Sequence, residues 1–344
     1  MLCIMLRRIG DVLLTLPAVR SLRSRFPEAE IDFLVEPPAH ELLAGNPDIT
    51  RLIVLGSKGP ANLVYLVRRL RAQRYDWVVD FMGNPRTAIF SFLSGAALRA
   101  GPARVSHRWA YTHLLRQPEV PCYSALEKIR TLRGLGLEPD ERDFLPRIAP
   151  QAVDRDFAAA ALRGLGLEPG RPLIAFAPAS RRITRQWPER HYAELGRLLR
   201  DRRGAELLIL WGRGEEAVAR SVQGGIGSRA YLSPETKDLR RLAGLIASCR
   251  MLVTNCSGPK HIAVALSVPT LTIHSSSDPR AWTPPGIPLH AFIRKEDLHC
   301  IGCRLNECPY ALECLRDLPA AEVFAAAERL LAATEPGGPA GGPV

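Results

Sequence analysis

The chain opens with MLCIMLRRIGDVLLTLPAVR, residues 1–20, in which five apolar residues lead into a Gly-Asp turn and then into helical apolar spacing. This order is typical of a buried parallel strand that passes directly into a helix. The pattern predicts a strand at Leu2–Leu6 and a helix over 12–26. Pro17 must either kink that helix or lie in an early turn, since proline lacks the backbone donor. The opening therefore predicts one strand–helix unit of an α/β fold.

The same alternation continues along the chain. Further strands are predicted at 31–35, 52–55, 77–80, 173–177, 207–211, 251–254 and 270–273, and further helices at 63–73, 187–200, 239–248 and 257–266. Alternating strands and helices indicate parallel sheets with right-handed crossovers. A chain of 344 residues is also longer than one hydrophobic core usually serves. We therefore expect two Rossmann-like, doubly wound domains that face a central cleft.

A short repeat suggests where the domains divide. Leu-Arg-Gly-Leu-Gly-Leu-Glu-Pro occurs at 132–139 and again at 162–169. Gly after an apolar run, with Pro close behind, is a helix stop signal, so both copies should end helices. We expect domains at 1–167 and 168–333, followed by a disordered Gly/Pro-rich tail at 334–344. The closing helix, 320–332, is a candidate to pack back on the first domain.

The net charge of +11 restricts the partners. The arginines are scattered through both halves, with no basic tail and no aromatic–basic platform, which argues against nucleic acid. An anionic membrane surface or acceptor fits the charge better. No apolar run is long enough to cross a bilayer, and the N-terminus lacks a signal-peptide pattern. We expect a cytoplasmic protein, with peripheral attachment to the inner membrane left open.

The first candidate site is the Gly-Asp turn after the first strand. Ligands of doubly wound folds bind at the carboxyl ends of the strands. Asp11 fits a general base that takes a proton from an acceptor hydroxyl, and Gly10 would let the acceptor approach closely. An N-cap role for Asp11 is equally open, and the two roles can coexist.

The second candidate site follows strand 251–254. The sequence TNCSGPKH, residues 254–261, ends a strand and opens a helix, and amides at a helix N-terminus bind anions. Ser257 and Gly258 could present donors to a diphosphate, although an ordinary capped turn has the same pattern. His261 lies inside the helix, where we expect it to pack locally and not to act as a base.

Two other loops follow strands of the second half. Arg181, Arg182 and Arg185 could neutralise a diphosphate leaving group, or they could form a solvated basic loop. Glu215, in Gly-Arg-Gly-Glu-Glu at 212–216, could accept hydrogen bonds from ribose or simply begin a helix. The glycine pattern there is not a complete dinucleotide fingerprint.

These motifs, in this order from about residue 2 to 333, resemble the bacterial heptosyltransferases of lipopolysaccharide core synthesis, glycosyltransferase family 9, which have the GT-B fold. The resemblance is carried by residues 8–20, Phe26-Pro27, Asn46-Pro47, the loop 178–188 with its Trp-Pro, 257–261, and Ser-Asp-Pro-Arg at 277–280 with Trp282 and Pro284.

The resemblance implies a function for each domain. The first would bind a glycolipid acceptor at the inner membrane, with Asp11 as base and Gly10 and Asn84 on the acceptor side. The second would bind ADP-heptose as the donor. Transfer would be inverting and would require no cofactor or metal, because basic side chains and amides take the diphosphate charge. The implied donor-side residues are Ser180, Arg181, Arg185, Glu215, Asn255, Cys256, Ser257, Gly258 and His261.

The donor side also departs from the family pattern. Cys256 stands where the family commonly has Asp, Arg185 where it often has Lys, and Ser275–Ser277 where it usually has Gly-Pro-Thr. These changes leave three alternatives open: transfer from another nucleotide-sugar, an epimerase, or a non-catalytic homologue that only binds a nucleotide-sugar.

Four cysteines cluster late in the chain with the spacing C-x2-C-x4-C-x5-C, namely Cys300, Cys303, Cys308 and Cys314. Four thiolates this close could hold a structural zinc ion or an iron–sulfur cluster. Free thiols, or disulfides formed on isolation, are the alternatives, and a disulfide is less expected in the cytosol.

Overall fold

The computed structural model describes residues 1–56, 59–167 and 170–334. The chain divides into two compact units, Met1–Ile148 and Ala149–Val344. None of the helices in these described stretches is both long enough and apolar enough to span a membrane.

The first unit is built on a six-stranded sheet in which every pairing is parallel. Its strands, in the spatial order β3-β2-β1-β4-β5-β6, are β1 Leu2–Ile4, β2 Asp32–Val35, β3 Arg51–Val54, β4 Trp77–Asp80, β5 Leu98–Pro102 and β6 His113–Leu115. Its helices are α1 Ile9–Leu13, α2 Leu16–Arg25, α3 Pro60–Ala72, α4 Pro85–Leu93 and α5 Ser124–Thr131, with short 3₁₀ turns at Ala39–Leu43, Arg108–Ala110 and Leu132–Leu135.

The second unit repeats this topology with a second parallel six-stranded sheet. Its strands, in the spatial order β12-β11-β10-β7-β8-β9, are β7 Leu173–Ala177, β8 Glu206–Ile209, β9 Ala230–Leu232, β10 Met251–Asn255, β11 Thr270–Ile273 and β12 His290–Ile293. Its helices are α6 Ala152–Gly164, α7 Glu189–Arg203, α8 Glu216–Ile226, α9 Leu239–Ala247, α10 Gly258–Ala265, α11 Pro279–Trp282, α12 Glu313–Arg316 and α13 Ala320–Ala333, with a 3₁₀ turn at Ile183–Arg185.

The predicted fold class is confirmed: both units are doubly wound α/β structures. The predicted helix over 12–26 is interrupted after Leu13 and resumes at Leu16, which puts Pro17 in the first turn of α2, where its missing N–H costs nothing. The repeat also behaves as predicted. Gly136 and Gly166 take left-handed φ values of 71° and 69° just after their helices.

The observed division falls between Ile148 and Ala149, whereas the sequence pattern placed it at 167. Helix α6 belongs to the second unit because it packs closely on α9. A Cβ at Gly244 of α9 would meet the Asp154 carbonyl oxygen at 2.5 Å, so only glycine allows this approach. Arg240 of α9 also donates to the Asp154 carboxylate at 3.1 Å.

The predicted closing helix exists as α13, and it packs on α7 and on strands β11 and β12 of its own unit. Residues 335–344, for which disorder was predicted, lie outside the described residues. The core beneath α13 contains Trp187, whose ring N–H donates to the Leu318 carbonyl at 3.1 Å.

Adjacent glycines in α8 offer a matched test of the packing between α7 and α8. A Cβ added at Gly225 would meet Ala193 Cβ at 2.6 Å, whereas one at Gly224 would meet nothing within 4 Å. Alanine in place of glycine inside a helix raises the free energy of unfolding by roughly 1 kcal/mol, whereas forced overpacking lowers it by about 1–3 kcal/mol. We expect Gly224→Ala to raise the melting temperature and Gly225→Ala to lower it. Equal shifts in calorimetry would contradict the close approach.

Candidate active site

In the first unit the candidate residues gather where the strand order reverses, between β1 and β4. Gly10 and Asp11 follow β1, and Asn84 follows β4. Because β1 and β4 are paired in parallel, their carboxyl ends lie side by side. This is the position at which doubly wound sheets bind ligands.

Asp11 is the third residue of α1 and not its N-cap, which is Arg8. Its Oδ2 atom accepts a hydrogen bond from the Arg8 backbone N–H at 3.2 Å. The carboxylate thus satisfies a donor at the helix start by reaching back, as the acidic member of a capping box does. The residue stays partly exposed, so capping and proton transfer are compatible. Gly10 is buried beside it.

Lys128 of α5 was missed from the sequence. Desolvation lowers the pKa of its ammonium group, and the negative charges of Asp11 and Glu127 oppose that shift, which places Lys128 in the field of Asp11. Its Nζ atom donates to Ser124 Oγ at 2.8 Å. The rarity of lysine is a signal that could have pointed to Lys128, because the chain has only five lysines among 46 basic residues.

The turn after β4 is held by buried groups. The Asp80 carboxylate accepts from the backbone N–H groups of Met82 and Gly83 at 2.9 Å and from the Tyr111 hydroxyl at 2.7 Å. Burial raises the pKa of Asp80, and these hydrogen bonds oppose the rise. Asn84 then caps α4, since its Oδ1 accepts from the Thr87 N–H at 2.9 Å.

In the second unit, the predicted donor-side residues follow three adjacent strands, β10, β7 and β8. The loop with Ser180, Arg181 and Arg185 follows β7, and the turn 256–258 follows β10, so the structure brings these two segments to one edge at the switch point. Glu215 follows β8, one strand farther out.

Asn255 joins the two segments. It is the last residue of β10 and is fully buried. Its Nδ2 atom donates to the Pro178 carbonyl at 2.7 Å, and its Oδ1 atom accepts from the Trp187 N–H at 3.1 Å. Both ends of the basic loop are therefore tied to the strand that precedes the turn 256–258. This makes Asn255 a positioning residue.

The basic loop is also ordered internally. The backbone N–H of Ser180 donates to Gln186 Oε1 at 2.9 Å, and the Ser180 hydroxyl accepts from the Arg182 N–H at 3.4 Å. Arg181 is exposed, and Arg185 is partly buried at the end of the 3₁₀ turn. The loop is therefore not a fully solvated segment.

Ser257 is the N-cap of α10, and its side chain makes no capping hydrogen bond. Its hydroxyl lies within 3.5 Å of Thr254 Oγ1, and Gly258 is the first residue of the helix. Cys256 is buried between β10 and α10. The His261 ring packs edge-on against Trp282, with centroids 5.8 Å apart, in agreement with the local packing predicted for it.

Lys260, in the first turn of α10, is fully buried. Its Nζ atom lies 2.8 Å from Thr283 Oγ1 and 3.2 Å from His274 Nε2. Desolvation lowers the pKa of Lys260 to about 8, and the nearby Cys256 thiol opposes that shift. A cation at a helix N-terminus also opposes the helix dipole. An anion bound at this turn would relieve both costs.

Glu215 is the N-cap of α8, and its Oε2 atom accepts from the Gly212 N–H at 2.9 Å. The helix-start interpretation of this residue therefore accounts for one of its oxygens.

The late cysteine segment is bonded to the basic loop and to the turn after β11, an arrangement that the sequence did not reveal. The Gly302 and Arg304 N–H groups donate to the Ser275 and Ser276 carbonyls at 3.0 and 2.7 Å. The Thr184 hydroxyl donates to the Leu305 carbonyl at 2.9 Å. The segment thus fastens the basic loop to the turn after β11.

Burial, and then the charges of Cys308, Cys300 and Cys303, raise the pKa of Cys314 to about 11. Cys308 Sγ accepts from two backbone N–H groups at 3.4 Å. Within the described part of the chain, however, no three Cys, His, Asp or Glu side chains are arranged to hold a metal ion. The metal site stays a prediction, for metal analysis of anaerobically purified protein to decide.

Two doubly wound units, with a carboxylate at one switch point and a basic loop beside a helix N-terminus at the other, define an α/β transferase of the GT-B type. The sequence model of glycosyltransferase family 9 (heptosyltransferase) matches residues 63–311. The chain belongs to this family, and it is a glycosyltransferase.

The chain is similar to relatives and to solved structures over most of their length. It is 26% identical over 316 residues to lipopolysaccharide heptosyltransferase 1 of Pseudomonas aeruginosa, covering 88% of this chain and 85% of the relative. The fold matches a family 9 glycosyltransferase of Veillonella parvula with a TM-score of 0.84 at 24% identity, covering 96% of each chain. It also matches an E. coli heptosyltransferase solved with ADP, with a TM-score of 0.72 at 22% identity, covering 96% and 99%.

Two buried threonines test the brace. Thr184→Val removes the hydroxyl that bonds Leu305, and a lost buried hydrogen bond costs about 1–3 kcal/mol. We expect lower stability in urea unfolding and faster amide exchange at Gly302 and Arg304. Thr272→Val is the control, because Thr272 Oγ1 has no hydrogen-bond partner among the described residues. The brace is refuted if both variants behave alike.

Lys260 predicts a pH dependence of stability. Its folded-state pKa of about 8 lies below its ordinary value of 10.5, so between these values the unfolded chain binds more protons. Stability contributed at this site therefore rises with pH across that window. Relative to Lys260→Met, the wild-type free energy of unfolding should increase by up to about 3 kcal/mol from pH 8 to 10.5. A constant difference between the two proteins in urea titrations would show that Lys260 is not desolvated.

Proposed function

We propose that this glycosyltransferase moves a heptose from ADP-heptose onto a lipopolysaccharide-core acceptor, with inversion at the transferred carbon. The proposal is supported by the names of relatives such as the Pseudomonas aeruginosa heptosyltransferase and by the fold shared with a heptosyltransferase solved with ADP. The observation that carries it is the Asn255 bridge, which joins a loop of three arginines to the amide turn of α10.

In the proposed reaction, the Asp11 carboxylate takes the proton of an acceptor hydroxyl. The hydroxyl oxygen forms a bond to the anomeric carbon while the bond from that carbon to the diphosphate oxygen breaks, and ADP leaves with the electron pair. Arg185, the Ser257 hydroxyl and the Gly258 N–H would stabilise the growing charge on the diphosphate. Arg181 lies in the same loop and would add to this field.

The proposed acceptor is a glycolipid of lipid A and core sugars, with Gly10 and Asn84 on the acceptor side. Such an acceptor is anchored in a bilayer, so we propose that the protein works at the cytoplasmic face of the inner membrane as a peripheral protein. Basic side chains and amides take the place of a divalent cation in this scheme, and no cofactor is required.

Asp11→Asn tests the assignment of the base. Asparagine can still accept from the Arg8 N–H, so the fold and ADP affinity should be retained. Loss of a general base lowers a rate by about 10²–10⁴-fold, and acceptor-dependent ADP release should fall within that range. Asp76→Asn, at an exposed carboxylate of the same unit, is the matched control. Near-normal turnover of Asp11→Asn would remove Asp11 as the base.

A different nucleotide-sugar is the second candidate, because the donor side holds Cys256 and a buried Ser275–Ser277 run in the positions where the family pattern differs. Thermal shifts with ADP-, GDP- and UDP-sugars compare the candidates, since a ligand stabilises the state that it binds. Stabilisation by ADP-heptose together with acceptor-dependent ADP release supports the first proposal. Binding without turnover under any acceptor would identify a non-catalytic homologue.

A further inference from the structure

The positive charge of the first unit is concentrated in one stretch. Residues 59–118 contain two acidic residues, Asp76 and Asp80, and nine arginines, for a formal charge of +7 against +11 for the whole chain. Asp80 is fully buried, so it does not offset the surface charge. The arginines are Arg68, Arg69, Arg71, Arg74, Arg86, Arg99, Arg104, Arg108 and Arg116. The arginines of this stretch are still spread along the sequence, as expected, and the charge is high because acidic residues are scarce there.

Large apolar side chains are exposed on the same stretch. Val64 and Tyr65 lie on α3, Ile89 and Phe92 on α4, and Trp109 on the 3₁₀ turn at Arg108–Ala110. Tyr65 is 66% exposed and Trp109 is 61% exposed. Together with the exposed Arg68, Arg69 and Arg108, these five apolar residues form what we name the aromatic–arginine face.

The elements that carry these residues are in contact. Helix α3 packs on α4, and the 3₁₀ turn with Trp109 packs on α4 as well. The rings of Phe92 and Trp109 meet edge to face with centroids 5.3 Å apart. On α3, Arg68 and Arg69 are three and four residues after Tyr65, so all three share one side of the helix. Aromatic and basic side chains are thus exposed together on these elements.

The chemistry of the face fits a lipid surface better than a nucleic acid. Bases stack on open aromatic faces, but the Arg99 guanidinium lies over the Phe92 ring, 5.8 Å from its centroid, and the same ring packs edge to face with Trp109. The aliphatic Val64 and Ile89 offer no stacking surface. Trp and Tyr side chains favour the interface between headgroups and acyl chains, and arginines are attracted to anionic headgroups.

We propose that the aromatic–arginine face docks on the surface of an anionic phospholipid bilayer, with Trp109, Tyr65 and Phe92 entering the interface and the surrounding arginines contacting headgroup phosphates. This inference rests on the proposed function in that it names the surface by which the enzyme would reach a membrane-anchored acceptor.

Vesicle co-sedimentation of the full chain tests the proposal. One vesicle is phosphatidylcholine alone, and the other contains three parts phosphatidylcholine to one part phosphatidylglycerol. We expect binding to the second, weakened by salt, and little binding to the first. Each arginine near an anionic surface contributes roughly five-fold in affinity, so Arg68→Glu with Arg69→Glu should lower binding at least ten-fold. Trp109→Ser should lower it several-fold.

Matched controls lie on α6 of the second unit, where Val153, Arg155 and Arg163 are exposed. Arg155→Glu with Arg163→Glu makes the same charge change as the test pair, and Val153→Ser removes an exposed apolar group. Both should bind vesicles within about two-fold of wild type, since they lie outside the aromatic–arginine face.

A lipid-free core oligosaccharide separates this inference from the proposed function. Transfer to it should be normal in the Arg68→Glu, Arg69→Glu variant. If transfer occurs in the wild type but the variants bind anionic vesicles as well as the wild type does, the docking face is wrong and the proposed function stands. If no transfer occurs with any sugar, the proposed function fails by itself. Binding of a single-stranded oligonucleotide without vesicle binding would overturn the proposal in favour of a nucleic-acid platform.

Discussion

The fourth strand of each unit ends in a fully buried polar side chain, and the candidate site depends on how that side chain is satisfied. Asp80 ends β4 and Asn255 ends β10, at equivalent places in the two sheets. Leaving such a group unpaired costs about 1–3 kcal/mol, so the loops beyond the strands must supply partners. Asp80 takes its partners from its own turn and from Tyr111, which orders the start of α4. Asn255 takes them from the loop after the neighbouring strand, so one amide sets the spacing between the arginines and the helix amides.

Burial of basic groups beside the candidate sites is a second constraint, and it bears on where the chain has lysine instead of arginine. The chain has five lysines among 46 basic residues, and two of them, Lys128 and Lys260, occupy desolvated positions beside the candidate sites. An ammonium group can lose its proton when buried, whereas a guanidinium stays charged. Lys260 has Thr283 and neutral His274 as neighbours, because burial and the Lys260 charge hold the pKa of His274 well below its usual value. Cys256 supplies no carboxylate to this turn, so a bound diphosphate could balance the positive charge of Lys260.

The sequence predicted what depends on local patterns and missed what depends on distant contacts. Strand–helix alternation predicted four of the six strands in each sheet, and the glycine stops marked helix ends as expected. The N-cap role that the sequence left open for Asp11 falls to Arg8, three residues earlier, because nothing in the local pattern separates the N-cap from the third helical residue. The domain division was displaced because α6 joins the second unit through Gly244 and Arg240, more than 80 residues along the chain. The bracing by the cysteine segment was invisible for the same reason: its bonds are made by backbone groups of residues that carry no sequence signal.

The long-range bonds of the basic loop set the order in which the protein can be completed during its synthesis. The hydrogen bond of Thr184 requires Leu305, which follows 121 residues later in the chain, and that of Trp187 requires Leu318, which follows 131 residues later. At roughly 5–20 residues per second, the ribosome needs about 6–25 s to deliver these partners after the loop has emerged. The first unit, by contrast, is complete once residue 148 is free. The nascent chain therefore carries a finished first unit while its arginine loop is still unfastened, and the second unit gains these bonds only after residue 318 has emerged.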